Sequence, residues 1–459
     1  MFIALFLLVF FLNYSPILAS DRNIFGLHLT QTSDLSITKD VINSSGGDWG
    51  WATIVIRLDQ LDRNTWQDFM DNCRKYHVAP IIRLGTIIDQ EVWKQPSFSD
   101  IDNLASFLNS LNWPTKTQYI IPFNEINHAS EWGGTVDIQS FTDMFIYTST
   151  KFKSLNPDFF ILSSPLDLAA PEKTPQYKSA VNVYREILNY NPLYFQSFDG
   201  LASHSYPNHG YVGIPSDSGQ HSVRGYLWEL AYLKSIGINN SYPVFITETG
   251  WPHREGESNQ NSYYTATTIA KFLSETIDIW QNDPQVIAIT PFIYNYPYEP
   301  FDHFSWVDKQ EQLYPSYQQI IDKPKFKNAP EQTTSFKVLE NNMPFLIFSG
   351  YDYGGSITLQ NTGQSIWGET QFCLTPNSSV NITIDALCTS NTQTQPGENL
   401  TLNYKFNVAK TDYPQDTYIS WDKISETYPI TPIIAQGQIY SANLNLKQRI
   451  IQLIKNLSI

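Results

Sequence analysis

Three features of the sequence predict an α/β chain built as a (β/α)8 TIM barrel followed by a small all-β sandwich. Eight short apolar runs alternate with amphipathic helical stretches between Asn23 and Lys327. Nearly every run ends in a polar or charged side chain. Beyond Lys327 the alternation of strand and helix stops, and short alternating runs with turn residues between them take over. The length, 459 residues, suits one large barrel plus a smaller module.

The first residues stand apart from this pattern. An apolar run from Phe2 to Leu12, followed by the small residues Ala19 and Ser20, predicts a signal peptide over 1–20. The run is shorter than the ~20 apolar residues of a membrane span. No Lys or Arg precedes it, so an uncleaved anchor stays open as the alternative. Either reading expects a secreted or cell-surface protein.

The eight strand runs are 23–30, 52–58, 78–85, 117–125, 158–164, 198–206, 242–249 and 287–295. Helical patterns lie between them. Trp66, Phe69, Met70, Cys73 and Tyr76 recur at helix spacing, as do Leu104, Phe107, Leu108 and Leu111, and a third pattern runs from 223 to 236. Continuously apolar strands alternating with such helices imply a parallel sheet covered by helices, and eight repeats in one domain imply a barrel over 21–327. The rival, an open doubly wound sheet, carries a Gly-rich turn after its first strand, and none follows Thr30.

Residues 328–334 read as a linker. The runs 355–360, 380–385, 400–407 and 417–421 then predict a β-sandwich over 335–445. An amphipathic helix is expected at 446–459. Cys373 and Cys388 lie in this module and are candidates for a disulfide, which spacing alone leaves open; Cys73 sits on the apolar face of a helix and reads as a small core residue.

Composition narrows the chemistry. Hydrophobic residues make up 42% and charged ones 16%, with a net charge of −15. Nucleic acid is excluded as a partner, because phosphate binding needs clustered Lys and Arg. A neutral oligosaccharide or polysaccharide suits this surface. No cofactor is expected. His204 and His209 lack the companion ligands of a metal site, so no metal is expected either.

The strand ends hold the chemistry. His28, Arg57 with Asp59, Arg83, Asn124 with Glu125, Ser164, His204 with Tyr206, Glu248 and Asn295 all fall where a barrel strand opens onto its mouth. Glu125, in PFNEINH, ends strand four, and Glu248, in FITETGWP, ends strand seven. Eight strands ~4.8 Å apart, tilted ~36°, close at a radius of ~7.5 Å. Strands three places apart are then ~14 Å apart, and two inward Glu side chains end with carboxyls ~5 Å apart, the spacing of a retaining double displacement. Arg57, ending strand two, is expected to keep Glu248 ionised, which leaves the proton on Glu125. The aromatic residues Trp132, Trp251, Tyr294, Tyr296, Tyr298, Phe301, Phe304 and Trp306, together with Asp302 and Asp308, fall on mouth loops where sugar rings would stack and bond.

These motifs resemble glycoside hydrolase clan A, with features of families 5, 17 and 39. TETGWP resembles family 17, and HSY at 204–206 resembles the His-x-Tyr of family 5. The resemblance implies Glu125 as acid/base and Glu248 as nucleophile of a retaining glycosidase. It implies Asn124 on the sugar 2-hydroxyl, Arg57 and Tyr206 positioning the nucleophile, His204 in the sugar site, and Trp306 as a sugar platform. Arg83 stands where family 5 has a His on strand three. A transglycosylase with the same residues, or a non-catalytic sugar-binding wall protein, are the rival readings. QNTGQSIWGETQFCL (360–374) resembles an immunoglobulin-like module, which implies an accessory, spacer or cell-surface role.

Overall fold

The computed structural model describes residues 22–440 except 315–316, 345–346, 369–372, 380, 389–392, 411–414 and 425–427. The leader expected at 1–20 and the helix expected at 446–459 lie outside the described residues. The chain divides into two compact units, Met1–Glu331 and Gln332–Ile459.

The first unit is α/β. Its strands are β1 (Gly26–Leu29), β2 (Gly50–Arg57), β3 (Val78–Gly85), β4 (Gln118–Pro122), β5 (Phe159–Ile161), β6 (Leu201–His204), β7 (Val244–Glu248) and β8 (Val286–Ile289). The first five form one parallel sheet in chain order, and β8, β7 and β6 form a second. Single parallel bridges link the sheet edges: Phe25 to Ile289 and Leu162 to Gly200. Ile289 N donates to Ile24 O at 2.7 Å, and Ser163 N donates to Gly200 O at 2.9 Å.

Two apolar layers follow from the alternation of strand side chains. Trp51, Ala79, Ile81, Ile121, Leu162, Ala202, Phe245 and Ala288 form a separate cluster on the face away from the helices. Gly26 is required there, because a Cβ on it would meet Trp51 O at 2.3 Å. The opposite parity packs on the helices, α1 (Leu35–Ile42), α2 (Arg63–Tyr76), α3 (Phe98–Asn109), α4 (Ile138–Leu155), α5 (Ala180–Tyr190), α6 (Gly225–Ser235), α7 (Ala266–Gln281) and the short α8 (Gln318–Ile321). Helix α2 shows the local logic. Asp62 caps it by accepting from Thr65 N, Trp66, Phe69, Met70 and Cys73 form its buried stripe, and His77 ends it at a φ of 55°.

Six of the eight strands are shorter than their apolar runs, because the outer residues of those runs turn away into loops, whereas β2 and β3 keep the full length of theirs. The clearest case is the last, where the run to 295 holds a strand only to Ile289. The chain end of the unit is tied to its start. Asn328 Nδ2 donates to Asn23 O and Trp49 O at 2.6 and 2.7 Å, and Asn23 N donates to Asn328 Oδ1 at 3.0 Å. Asn328, expected in the linker, is therefore part of the first unit.

The second unit consists of two sheets around one core. One holds Phe336–Asn342, Asp352–Asn361, Asn399–Val408 and Ile382–Ile384; the other holds Ile347–Phe348, Tyr428–Tyr440, Gln415–Ile424, Cys373–Ser378 and Leu387–Cys388. Ile357, Leu402 and Phe406 from the first meet Leu374, Leu387 and Ile419 from the second. Cys373 and Cys388 pair across neighbouring strands and are joined as a disulfide.

Candidate active site

Glu248 is the last residue of β7. A register shift between Ser203 and His204 sets His204 beside Glu248 rather than beside Thr247. The nearest partners of Glu248 are four side chains from three strand ends, those of β1, β3 and β6. Tyr206 Oη donates to Oε2 at 3.2 Å, Arg83 Nη1 lies 3.4 Å from Oε1, His28 Nε2 3.7 Å from Oε1, and His204 Nδ1 3.7 Å from Oε2. The same His204 Nδ1 is 2.7 Å from Glu125 Oε1. One imidazole thus touches both carboxyls, and the two oxygens facing it are at most the sum of these distances, 6.4 Å, apart.

Glu125 follows β4 across a sharp change of backbone hand, with φ at 69° for Phe123 and 23° for Glu125. Side chains rarely adopt this region, and it recurs at functional sites. Its side chain is 19% exposed and that of Glu248 is 11% exposed.

Burial dominates the proton affinities. It pushes Glu125 up to about 7, assisted by the charge of Asp167 and opposed by His128 and Arg83. Burial also raises Glu248, with His204, Arg83 and the Tyr206 hydroxyl acting against it. Burial lowers His204 to about 4 and His28 well below the ordinary imidazole value, so both rings are neutral near pH 7. The cation left facing Glu248 is Arg83.

The expected residues meet different fates. Glu125, Glu248, His204 and Tyr206 come together. Asn124 adjoins them, but its side chain bonds Glu131, and its Oδ1 is buried without a hydrogen-bond partner among the described residues. Arg57 is corrected: its Nε donates to Asp59 Oδ1 at 2.9 Å, and no bond to Glu248 is found. Arg57 and Arg83 share one face of neighbouring strands, but Arg57 pairs with Gly85 and sits one layer nearer solvent, so Arg83 takes the place beside the carboxylate.

The aromatic expectations are corrected as well. Trp306 is 1% exposed and stacks on Tyr317 at 4.3 Å, so it is a core ring and not a sugar platform. Trp251 is buried, donates to Gly213 O at 2.8 Å and packs on Phe272. Tyr294 is buried in the same core. Large rings after a strand end find apolar neighbours as soon as a loop folds back on them. Asp308 accepts from Gln310 N and Gln312 N and so holds a turn. Tyr298 and Phe301 do reach solvent.

Several site residues were not singled out for these roles from sequence. His28 lies on the inward face of β1. Asp167, in the loop after β5, accepts from His128 Nε2 at 2.8 Å, and its pKa is lowered: burial acts upward, but the His128 bond and the backbone N–H of Ala169 outweigh it. Glu131 and Trp93 lie on loops, where periodicity carries no signal. Among the described residues no group of three or more His, Cys, Asp and Glu is arranged to hold a metal; His209 packs on His221, away from any such set.

No protein-family model and no curated protein matches the sequence. Solved structures do resemble this chain. A mutant of Bacteroides uniformis beta-glucuronidase 2 matches with a TM-score of 0.44 at 9% identity over 91% of this chain, which spans only 46% of that one. A Cellulomonas fimi endo-beta-1,4-mannanase double mutant gives 0.40 at 10% identity over 92% and 94% of the two chains. A glucosidase from Croceicoccus marinus gives 0.47 at 9% identity over 86% and 97%. All three are glycoside hydrolases. Likeness of this degree does not place the chain in a family, and the functional reading rests on the site.

Proposed function

We propose that this chain is a retaining glycoside hydrolase working at the mouth of a closed (β/α)8 barrel, on a β-linked oligo- or polysaccharide. The bridges between the two parallel sheets support the closed barrel. The observation that carries the chemistry is the pair of buried carboxyls meeting at one neutral imidazole in different electrostatic settings. Glu125, raised to about 7, keeps its proton through the mildly acidic range and shares it with the ionised form at neutral pH. Glu248, beside Arg83 and Tyr206, is the carboxyl set up to stay ionised.

In the first step Glu248 attacks the anomeric carbon. The glycosidic C–O bond breaks, and Glu125 gives its proton to the leaving oxygen. Glu125, now a carboxylate, takes a proton from water, which attacks the glycosyl–Glu248 ester and releases the sugar and free Glu248. The 6.4 Å ceiling on the facing oxygens is compatible with the short carboxyl separation, ~5–5.5 Å, of this route. The Cys373–Cys388 disulfide supports export to an oxidising compartment.

The test is proton NMR of the first-formed product from a panel of β-linked glycans. Retention is expected, and an inverted anomer overturns the double displacement. Glu125→Gln and Glu248→Gln should each lower kcat by ~10²-fold or more on unactivated glycans while leaving the melting temperature near wild type. Near wild-type turnover in either variant overturns the assignment of roles.

A further inference from the structure

Just past Glu125 the chain turns back on itself and sets a second charged pair beside that carboxyl. His128 N donates to Glu125 O at 2.8 Å, which closes the turn. The His128 ring is held from two directions: Nε2 donates to Asp167 Oδ2 at 2.8 Å, and Tyr177 packs edge-on at 4.9 Å. The Asp167 backbone forms a parallel bridge with His204, whose ring touches Glu125. Fully buried Asn127 fixes that backbone with two bonds. Its Nδ2 donates to Asp167 O at 2.8 Å, and Asp167 N donates to its Oδ1 at 3.2 Å. One short segment, Glu125 to His128, thus carries the carboxyl, the clamp and the ring.

Two carboxyls in one partly buried cluster do not both ionise freely, and the one with more donors keeps the charge. Asp167 has the donors, since His128 Nε2 serves Oδ2 and Ala169 N donates to Oδ1 at 2.8 Å. Among the described residues the hydrogen-bond partner of the Glu125 side chain is His204 Nδ1, at 2.7 Å. That nitrogen serves either form of the carboxyl, accepting from the acid in one tautomer and donating to the carboxylate in the other. It does not choose between them. The neighbouring charges do. Burial raises Glu125, Asp167 adds to the rise, and His128 and Arg83 oppose it. On His128 burial acts downward, but the Asp167 bond and the charges of Glu125, Asp167 and Glu131 outweigh it.

The other groups facing this cluster are accounted for. Arg83 is paired with Glu248. Burial lowers His204 and His221, and both stay neutral near pH 7. Burial raises Tyr206 and Tyr211, and both keep their protons there. Glu131, which burial raises to about 7, titrates alongside Glu125.

We infer that Asp167 and His128 are a positioning pair that acts on the reaction through Glu125. The Asp167 anion holds the transferable proton on that carboxyl, and the His128 cation limits how firmly it is held. The same carboxyl can then give its proton to the leaving oxygen and afterwards take one from water. Neither residue has to touch the sugar. The inference rests on the glycosidase reading and deepens it.

The experiment follows the basic limb of kcat/KM in the full chain. Asp167→Asn removes the anion and keeps the shape, so the midpoint of the limb is expected to fall, by ~1 in pH, the low end of what one nearby charge does. His128→Gln removes the cation and keeps a donor for Asp167, so the midpoint should rise by a similar amount. The double variant should return toward wild type. A purely structural role would lower turnover in both variants without driving the limb in opposite directions. Arg83, Glu248 and Glu131 are intact in all of them, so the sign belongs to the charge removed. Midpoints that stay put, or move in the same direction, overturn the pair, and either single variant decides by its own sign if the other does not fold. NMR titration of the Glu125 carboxyl in protein with isotope-labelled glutamate, assigned by its loss in Glu125→Gln, reads the same midpoint without a substrate. A wild type that cleaves no glycan therefore overturns the glycosidase reading, while the carboxyl titrations still decide whether the pair controls this proton.

Discussion

Glu125 sets the upper pH limit of the proposed reaction. It must be protonated to serve the leaving group, and it is held at about 7. Activity is therefore expected to fall as pH rises through about 7, seen as the basic limb of kcat/KM. The acidic limb belongs to Glu248, which must be ionised. Arg83 stabilises that ionised form from 3.4 Å. Arg83→Met is expected to raise the Glu248 pKa further, so activity disappears at a higher pH on acidification. The shift should be ~1–3 units, the usual effect of a nearby opposite charge. Arg57→Met breaks only the rim pair with Asp59 and should leave the acidic limb in place. An acidic limb that follows Arg57 and ignores Arg83 would reverse this assignment. The contrast shows what a sequence can encode at single positions. Glu125, Glu248, His204 and Tyr206 were legible because each sits at or just past the end of an apolar strand. Arg57 and Arg83 were not separable, since they share strand parity and differ only in height along the barrel. Trp306 looked like a platform because position in a loop does not reveal which way a ring turns.

Strand β6 and helix α6 supply a pH-dependent contribution to stability that lies away from the mouth. Glu229 of α6 is fully buried, accepts from Tyr184 Oη at 2.6 Å and from the Ser203 hydroxyl, and thereby braces the residue next to His204. Burial pushes it from 4.5 up to about 7, opposed by those two hydrogen bonds. The folded state thus binds this proton more tightly than the unfolded state. The stabilisation is complete below about 4.5 and is lost as pH rises through about 7, a change on the order of 3 kcal/mol. Glu229→Gln keeps the shape and has no charge to bury. Its melting temperature should rise relative to wild type between pH 5 and 8, and a constant difference across that range would refute the mechanism. The existence of β6 and β7 could be read from their apolar runs, but the hairpin at 88–93 could not. Its turn is Gln90-Glu91, without the Gly or Asn that advertises positive φ. Two strands of the second unit, Ile347–Phe348 and Leu387–Cys388, have too few residues to show any period.

The two units have separate cores, and every proposed catalytic or sugar-binding residue precedes Glu331. A chain ending at Glu331 is expected to retain the kcat of the full protein on soluble substrate. Reducing Cys373–Cys388 opens a 15-residue loop and should cost the second unit ~3 kcal/mol, lowering its melting step without altering turnover. Coupled loss of turnover on reduction would refute that independence. The alternation of runs made the two-part organisation legible, but the first unit runs a few residues past the expected barrel end at 327, because Asn328 reads as linker and behaves as structure. That side chain spans 305 positions to reach Asn23. On the ribosome it is synthesised after all eight strands, so a nascent chain halted just before it holds every strand and lacks the latch between the first segment and the last. The bonds that close this seam form only when translation of the unit is nearly complete, and the first strand must wait for them through the whole of the barrel's synthesis.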